Sequence, residues 1–179
     1  MSHVEIKKIV ELLKEFAATR KGRLRVILLG GLALQYYGMQ DRATIDIDAE
    51  IREDPETSSG QAMEGLFNFL KSKSIPADLG EDISRWSIIT MPPGYRERTI
   101  EIYRDDFLMI SVLHPLDFII SKLRRFTEED IEDALFVARK FNVQAEEIKK
   151  SAEEAILHSA KDTSLFIFRK NIDIFIARL

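Results

Sequence analysis

The spacing of apolar and polar residues changes along the chain and divides it into predicted elements. Residues 4–19 carry apolar side chains at helical spacing, which predicts an amphipathic packing helix. A continuous apolar run at 26–29 follows, then Gly30-Gly31, then a short apolar segment at 32–37. This order predicts a buried strand, a glycine turn and the start of a helix.

The next segment, 44–51, alternates between polar and apolar residues and predicts a second strand. Because successive strand side chains point to opposite faces, Asp46 and Asp48 should share one face, about 6–7 Å apart along the strand. Ile45 and Ile47 should point into the core. Two carboxylates this close repel each other, and a raised pKa, a basic neighbour or a divalent cation relieves that repulsion.

The glycine turn adds a second chemical feature beside this carboxylate pair. Backbone N–H groups at such a turn and at the following helix start favour phosphate. A phosphate cradle next to two carboxylates predicts a site for a metal-bound nucleoside triphosphate.

The order of apolar strand, Gly-Gly, helix and Asp-hydrophobic-Asp resembles the signature of the DNA polymerase beta-like nucleotidyltransferase superfamily. More narrowly, GGLALQYYG followed by RATIDID resembles small prokaryotic nucleotidyltransferase-like proteins that include the abortive-infection toxins of toxin–antitoxin systems. The resemblance is most specific at the two glycines and two aspartates and extends more loosely to about residue 140. The gap from Gly31 to Asp46 is a little longer than in the commonest form of the motif.

This resemblance implies a magnesium-dependent nucleotidyl transfer that uses two Mg²⁺ ions and takes a nucleoside triphosphate (NTP) as substrate. It assigns nucleotide binding to five residues: Gly30, Gly31, Arg42, Thr44 and Lys122. It assigns metal binding and catalysis to three carboxylates: Asp46, Asp48 and Glu101.

The third carboxylate rests on the alternating segment 99–103, which places Glu101 between two isoleucines on a predicted strand. Superfamily members carry a third acid on a strand that neighbours the Asp-X-Asp strand, more often as aspartate. A third acid assists the incoming hydroxyl and completes the neutralisation of two metal ions. Asp105 or Asp106 is an alternative third carboxylate. Glu101 would then be an exposed strand residue without a chemical role, which is a second interpretation of its position.

Lys122 lies on a helix that the sequence predicts to begin at Pro115, since proline suits the first helical turn. In the resembling proteins such a lysine sits behind the nucleotide site, so Lys122 is the candidate for contact with the triphosphate. The alternative is a surface lysine that pairs with Asp130 or Asp133. Thr127 and Asp130 resemble a capping box, which predicts that the next helix begins there.

The remaining segments complete a predicted α+β fold. Residues 53–60 predict a polar loop and 63–70 a helix; 86–89 and 99–103 predict two strands joined by a turn at 91–94; and 106–113 predicts a last strand. Beyond 128 the chain is predicted to be helical, with a final apolar helix suited to packing or dimerisation. We therefore expect a nucleotidyltransferase-like domain of mixed β-sheet and packed helices over 1–126, and a C-terminal helical region over 127–179.

Composition narrows the function classes. The 179 residues are 45% hydrophobic, enough for a proper core, and contain no cysteine, which excludes disulfides and thiolate chemistry. The charged N-terminus and the absence of a membrane-length apolar run predict a cytoplasmic protein without a membrane partner. A net charge of −4 argues against non-specific coating of duplex DNA.

The sequence nevertheless contains local clusters of basic residues, whose function depends on the direction in which their side chains point. They comprise Arg20, Lys21, Arg23 and Arg25 before and in the first strand, Arg96 and Arg98, and Lys122, Arg124 and Arg125.

The acceptor cannot be read from the sequence, so an RNA end, a protein side chain and a small hydroxylated molecule all remain open. A homodimer or a complex with a cognate partner protein is an equally open expectation. Two rival functions stand beside nucleotidyl transfer. One is an inactive nucleotide-binding or antitoxin-like interaction module, and the other is a metal-dependent phosphohydrolase.

Overall fold

A computed structural model of the chain describes residues 4–20, 22–40, 43–53 and 59–179. The chain forms two compact units. The sheet unit comprises residues 1–82 and 99–112, and the helical unit comprises 83–98 and 113–179. The predicted domain boundary between residues 126 and 127 stays a prediction.

Among the described residues, the sheet unit contains five strands and three helices. The strands are β1 Leu24–Leu28, β2 Ile47–Glu53, β3 Ala77–Gly80, β4 Ile100–Arg104 and β5 Leu108–Val112, and the helices are α1 Ile6–Ala17, α2 Gly30–Tyr36 and α3 Ser59–Ser72. The strand order is β3-β2-β1-β5-β4. Strand β1 runs parallel to β5 and antiparallel to β2, while β2 runs parallel to β3. This mixed sheet with packed helices confirms the predicted α+β class.

One face of the sheet forms the core of this unit. Every second side chain of the three central strands points to this face. On it, Leu24, Val26 and Leu28 of β1 lie beside buried residues of the neighbouring strands, such as Ile51 of β2 and Ile110 of β5. Helix α1 contacts β5, and α3 contacts β2 and β3. Because β2 and β3 are parallel, the chain needs a crossover between them, and α3 supplies it.

Two sequence predictions about strands are wrong. Strand β2 begins at Ile47, so Asp46 precedes it, and Ile45 is 48% exposed instead of pointing into the core. The segment 86–89 was predicted to be a strand paired with 99–103. Instead, its first residue ends a short 3₁₀ helix, Ile83–Trp86, and the strand at 100–104, β4, pairs with β5. Here Ile89 is buried while Trp86 and Ile88 are exposed, so apolar content alone misled the strand prediction.

The helical unit is built from four helices: α4 Pro115–Leu123, α5 Glu128–Phe141, α6 Ala145–His158 and α7 Ser164–Ile176. Helix α4 contacts the other three. Proline begins α4, as predicted. The Thr127–Asp130 capping box is present at the start of α5, because Thr127 Oγ1 accepts from the Asp130 backbone N–H at 3.1 Å.

Helix α7 keeps apolar residues on two faces, as its sequence predicted. Phe168, Ile172 and Phe175 are buried, whereas Phe166 and Ile167 are exposed. Across the described ranges, no helix combines the length and the apolar character needed to span a bilayer.

Candidate functional site

The turn between β1 and α2 lies directly against Asp48. The Leu29 N–H donates to the Asp48 carbonyl oxygen at 2.9 Å, which fixes the turn beside β2. Gly30 has φ +51°, a left-handed conformation that side chains rarely adopt. A Cβ at Gly30 would also lie 3.3 Å from Asp48 Cγ and overlap its Oδ2. Only glycine therefore fits between this turn and the Asp48 carboxylate.

Gly31 makes an equally close approach to Thr44. A Cβ at Gly31 would lie 2.6 Å from Thr44 Cβ and 2.9 Å from its Oγ1. The buried Thr44 hydroxyl lies within donating distance of Asp46, 3.1 Å from its Oδ1 and 3.2 Å from its carbonyl oxygen. Thr44 thus connects the glycine turn to Asp46 and orients that carboxylate.

The structure brings together five of the residues predicted from sequence: Gly30, Gly31, Thr44, Asp46 and Asp48. Both carboxylates remain partly exposed to solvent. The Ile47 N–H between them donates to the Pro76 carbonyl at 3.0 Å, which brings the chain leading into β3 alongside the pair.

Strand β3 adds a carboxylate that sequence reasoning missed. Asp78 is the direct register partner of Asp48 in the parallel β2–β3 pair. Partners in neighbouring strands lie about 4.8 Å apart and point to the same face, and like charges placed directly opposite are destabilising. Asp46, Asp48 and Asp78 therefore concentrate negative charge at one edge of the sheet. Strand β3 is only four residues long, so it offers too little periodicity to reveal Asp78 in advance.

Glu101 occupies a different part of the sheet. Its strand, β4, lies three strands from β2, about 14 Å across the sheet. The Glu101 carboxylate pairs with Arg104 at 2.6 Å and its side chain is 41% exposed. The role of Glu101 as the third carboxylate stays a prediction.

Asp105, the alternative third acid, is engaged in the β4–β5 turn. Its Oδ1 accepts the backbone N–H groups of Phe107 and Leu108 at 2.8 and 2.7 Å, and its Oδ2 accepts the Tyr103 hydroxyl at 2.8 Å. The Tyr103 hydrogen bond, followed by the Phe107 N–H, holds the pKa of Asp105 below its ordinary value. Asp105 therefore stabilises the turn as a carboxylate.

Lys122 belongs to the helical unit, where it is buried within a network of charges. Its Nζ lies 2.8 Å from Asp133 Oδ2 and 3.2 Å from Asp130 Oδ1, and its side chain is only 8% exposed. The alternative considered from sequence was a surface lysine paired with Asp130 or Asp133. The pairing is present, but the lysine is buried. The predicted contact of Lys122 with a triphosphate stays a prediction.

Asp130 accepts several hydrogen bonds within that network. Arg125 donates to both of its oxygens, at 2.6 and 3.1 Å, and Thr127 Oγ1 donates at 2.8 Å. Burial opposes ionisation, but the hydrogen bonds of Arg125 and Thr127 and the charge of Lys122 outweigh it. Together they hold the pKa of Asp130 below its ordinary value.

Lys21 of the first basic cluster lies outside the described residues, and so do two further sequence predictions. Arg42 is one, and most of the polar loop predicted at 53–60, namely residues 54–58, is the other.

The carboxylate oxygens of Asp46 and Asp48 suit a hard cation that is bound together with a substrate. In the described ranges, no three His, Cys, Asp or Glu residues form a group that could hold a metal ion by themselves. Mg²⁺ usually keeps several waters and is bound by one or two carboxylates together with substrate phosphates. The oxygen ligands of Asp46 and Asp48, beside a turn that lacks Cβ atoms, fit that mode of binding.

Comparisons with known proteins identify the family to which this chain is similar. A family model described as nucleotidyltransferase of unknown function (DUF6036) matches residues 5–168, a range that includes every candidate residue named above. A crystal structure of an antigenic nucleotidyltransferase-like protein from Paracoccidioides brasiliensis is similar to this chain. The two are 15% identical, with 90% of this chain and 96% of that chain covered and a TM-score of 0.48. No curated protein sequence matches this chain.

Proposed function

We propose that this chain, which belongs to the DUF6036 family of nucleotidyltransferases of unknown function, transfers a nucleoside monophosphate from a magnesium-bound NTP to a hydroxyl acceptor. The observation that carries the proposal is the close approach of Gly30 and Gly31 to Asp48 and Thr44. This approach holds the backbone of the turn against Asp48, and in our proposal the triphosphate binds at the turn while Asp46 and Asp48 bind its metal.

Asp46 and Asp48 would hold the metal in this proposal. Bound Mg²⁺ supplies charge neutralisation at the phosphates, the dominant contribution in phosphoryl-type transfers. Thr44 keeps Asp46 in one orientation through its hydroxyl hydrogen bond. Gly30 and Gly31 let the backbone of the turn approach Asp48 and Thr44 closely, since a side chain at either position would collide with them. Arg42 and Lys122 remain proposed contacts of the nucleotide.

Asp78 is better placed than Glu101 to act as the third carboxylate. It lies in register with Asp48 on the adjacent strand, whereas Glu101 is three strands away and paired with Arg104. We assign to Asp78 the activation of the acceptor hydroxyl. Glu101 is retained as the competing assignment.

The acceptor class and the biological setting follow from the resemblance alone. An RNA end, a protein side chain and a small molecule are the proposed acceptor classes. A toxin–antitoxin setting implies a cognate partner protein, and the exposed apolar residues of α7, Phe166 and Ile167, would suit such a partner or a second copy.

A second candidate function is nucleotide binding without turnover. It is favoured by the absence, among the described residues, of a group of three acids or histidines that could hold a metal ion. Such a module would bind an NTP beside the glycine turn and act through interactions with a partner.

Calorimetric titration of ATP, GTP, CTP and UTP, with and without magnesium, tests the site. We expect at least one triphosphate to bind only with magnesium, and an Asp46→Ala/Asp48→Ala variant to lose that binding. A control variant with the same change of charge, Glu64→Ala/Glu146→Ala, removes two exposed acids elsewhere and should bind as the wild type does. Equal affinity of all three proteins, or no binding at all, would contradict the proposal.

Turnover is tested with NTPs that carry the label on the α-phosphate, incubated with separate RNA and protein fractions. Transfer predicts label in one fraction, released pyrophosphate, and loss of both in Asp78→Asn if Asp78 is the third acid. If Glu101→Gln abolishes transfer and Asp78→Asn does not, the assignment reverts to Glu101. Binding without any transfer by the wild type favours the second candidate function.

A further inference from the structure

The side chain of Gln35 links two segments of the sheet unit. It lies four residues after Gly31 on α2, so both residues are on the same side of this helix. Its Oε1 accepts the Ile6 N–H and its Nε2 donates to the Val4 carbonyl oxygen, both at 2.9 Å. An N–H group needs an acceptor and a carbonyl oxygen needs a donor, so these two partners fix the orientation of the amide. Gln35 therefore ties α2 to the beginning of α1.

The first turn of α1 relies on this side chain. Ile6 is the first residue of α1, where a helix leaves its backbone N–H groups without partners inside the helix. The side chain of Glu5, which precedes α1, makes no capping hydrogen bond to this described first turn. Gln35 supplies the acceptor from a position 29 residues later in the sequence. We call Gln35 and residues 4–6, which it holds, the N-terminal clamp.

Val4 carries this link to the segment before β2. Its N–H donates to the Thr44 carbonyl oxygen at 2.9 Å, and its side chain is buried. Thr44 in turn approaches Gly31 closely and has its hydroxyl 3.1 Å from Asp46 Oδ1. The contacts thus close a ring, because Gly31 and Gln35 belong to the same helix.

The two carboxylates of the candidate site are held in different ways. Asp48 lies within β2, and its carbonyl oxygen accepts the Leu29 N–H at 2.9 Å. Asp46 precedes the paired part of this strand, since pairing with β3 begins at Ile47 and pairing with β1 begins later. Pairing within the sheet therefore positions Asp48, whereas the Thr44 hydroxyl orients Asp46.

We propose that Gln35 is a positioning residue for the metal site, and that it acts through Val4 and Thr44 to hold Asp46 in the orientation that binds the cation. This inference rests on the proposed function, because it concerns the same pair of carboxylates. It adds the beginning of α1 to the elements that form the site. Without the clamp, the segment that contains Thr44 gains conformational freedom, and metal binding must then order Asp46 at the expense of affinity.

Amide hydrogen exchange measured by NMR tests the link without any ligand. Gln35→Met keeps an unbranched side chain of similar length and removes both hydrogen bonds. We expect the Val4 amide to exchange at least about tenfold faster in this variant, because a loosened clamp opens its bond to Thr44. The Leu29 amide, which donates to Asp48, should keep its wild-type exchange rate because pairing within the sheet is unchanged.

Two further variants sharpen the exchange experiment. Gln61→Met removes an exposed glutamine from α3 and should leave the Val4 and Leu29 rates unchanged. Gln35→Glu keeps an acceptor for the Ile6 N–H but places a carboxylate against the Val4 carbonyl oxygen, so only Val4 should exchange faster. It also retains the cap of α1, so the link remains testable if Gln35→Met does not fold. An unchanged Val4 rate in both Gln35 variants, or an equal acceleration of Leu29, would overturn the proposal.

Magnesium titration at a fixed NTP concentration tests the effect on the site. We expect Gln35→Met to raise the magnesium concentration for half-maximal NTP binding by about tenfold, with affinity at saturating magnesium near the wild-type value. Thr44→Val removes the hydroxyl that orients Asp46 and should act in the same way. Because both variants interrupt one link, their combination should need no more magnesium than the more affected single variant. Additive effects would refute the proposal, since Gln35 would then act by another route.

The two experiments separate this inference from the proposed function. If the wild type binds no NTP, the proposed function fails, and the exchange rates still decide whether Gln35 holds the segment that contains Thr44. If NTP binds with magnesium and the Val4 exchange rate does not change, the clamp is refuted and the proposed function stands. Urea unfolding of each variant shows whether a loss of binding reflects a loss of folding.

Discussion

Replacing Lys122 by methionine tests what this buried lysine does. Methionine keeps the apolar stem and removes the ammonium group. In the folded chain that ammonium joins α4 to α5 through Asp130 and Asp133. The substitution therefore leaves two carboxylates, each at most 3% exposed, without their shared cation.

The size of the loss in unfolding free energy depends on the hydrogen bonds that the two carboxylates keep when the ammonium group is removed. Breaking a buried ion pair by removing one partner costs about 3–5 kcal/mol. Asp130 keeps the two hydrogen bonds from Arg125 and the one from Thr127. These retained hydrogen bonds limit the cost at Asp130, and we therefore expect a loss near the lower end, about 3 kcal/mol.

Urea unfolding followed by circular dichroism at neutral pH measures this loss. A Lys150→Met control, at an exposed position of α6, should change the free energy of unfolding by less than about 0.5 kcal/mol. Adding Asp133→Leu to Lys122→Met should recover part of the loss, because it removes one of the two buried carboxylates that had shared the ammonium group. A loss below about 1 kcal/mol for Lys122→Met would refute the reasoning, since it would mean that the network contributes no more than an exposed ion pair.

The same variant separates structure from nucleotide contact. If Lys122 acts only within the buried network, the folded variant at low urea retains NTP affinity. If NTP binding disappears while the free energy of unfolding stays at the wild-type value, the lysine serves the triphosphate, as the family resemblance implies.

Two further predictions concern the glycine turn and acid stability. Gly30→Ala and Gly31→Ala should each lower the free energy of unfolding by more than about 1 kcal/mol, because of the left-handed φ at the first and the approach of Thr44 at the second. Gly65→Ala in α3, whose new Cβ would lie 3.2 Å from the flexible end of Arg20 and in ordinary contact with the Phe16 ring, should be neutral or stabilising in the same urea unfolding assay. The low pKa of Asp130 contributes stability above the unfolded value of about 3.9 that is lost as pH falls through the folded value. Acid titration should therefore show a steeper loss for wild type than for Asp130→Asn, and parallel curves would contradict this assignment.

Local sequence signals predicted much of the secondary structure because each depends on neighbouring residues. Pro115 marked the start of α4, and the Thr127–Asp130 capping box marked the start of α5. The step from β1 through Gly30 into α2 was likewise visible, since a left-handed turn requires glycine.

Predictions that depended on the pairing of strands distant in sequence were less accurate. The alternation at 44–51 extended the strand too far, because polar and apolar periodicity does not show where pairing with β1 begins. The four-residue β3 gave no periodic signal, yet it holds Asp78 beside Asp48. Glu101 shows the opposite case, in which a clear strand pattern says nothing of the strand's position in the sheet.

The sequence by itself determined the residue types of the candidate site: two glycines that permit a tight turn and two aspartates that suit a hard cation. Only the tertiary structure decided which side chains meet, because strand order and register bring together residues that are far apart in the chain. Register placed Asp78 against Asp48 and aligned Arg25 with Arg52. It also separated Glu101 from the carboxylates by three strands, a distance that no local pattern encodes.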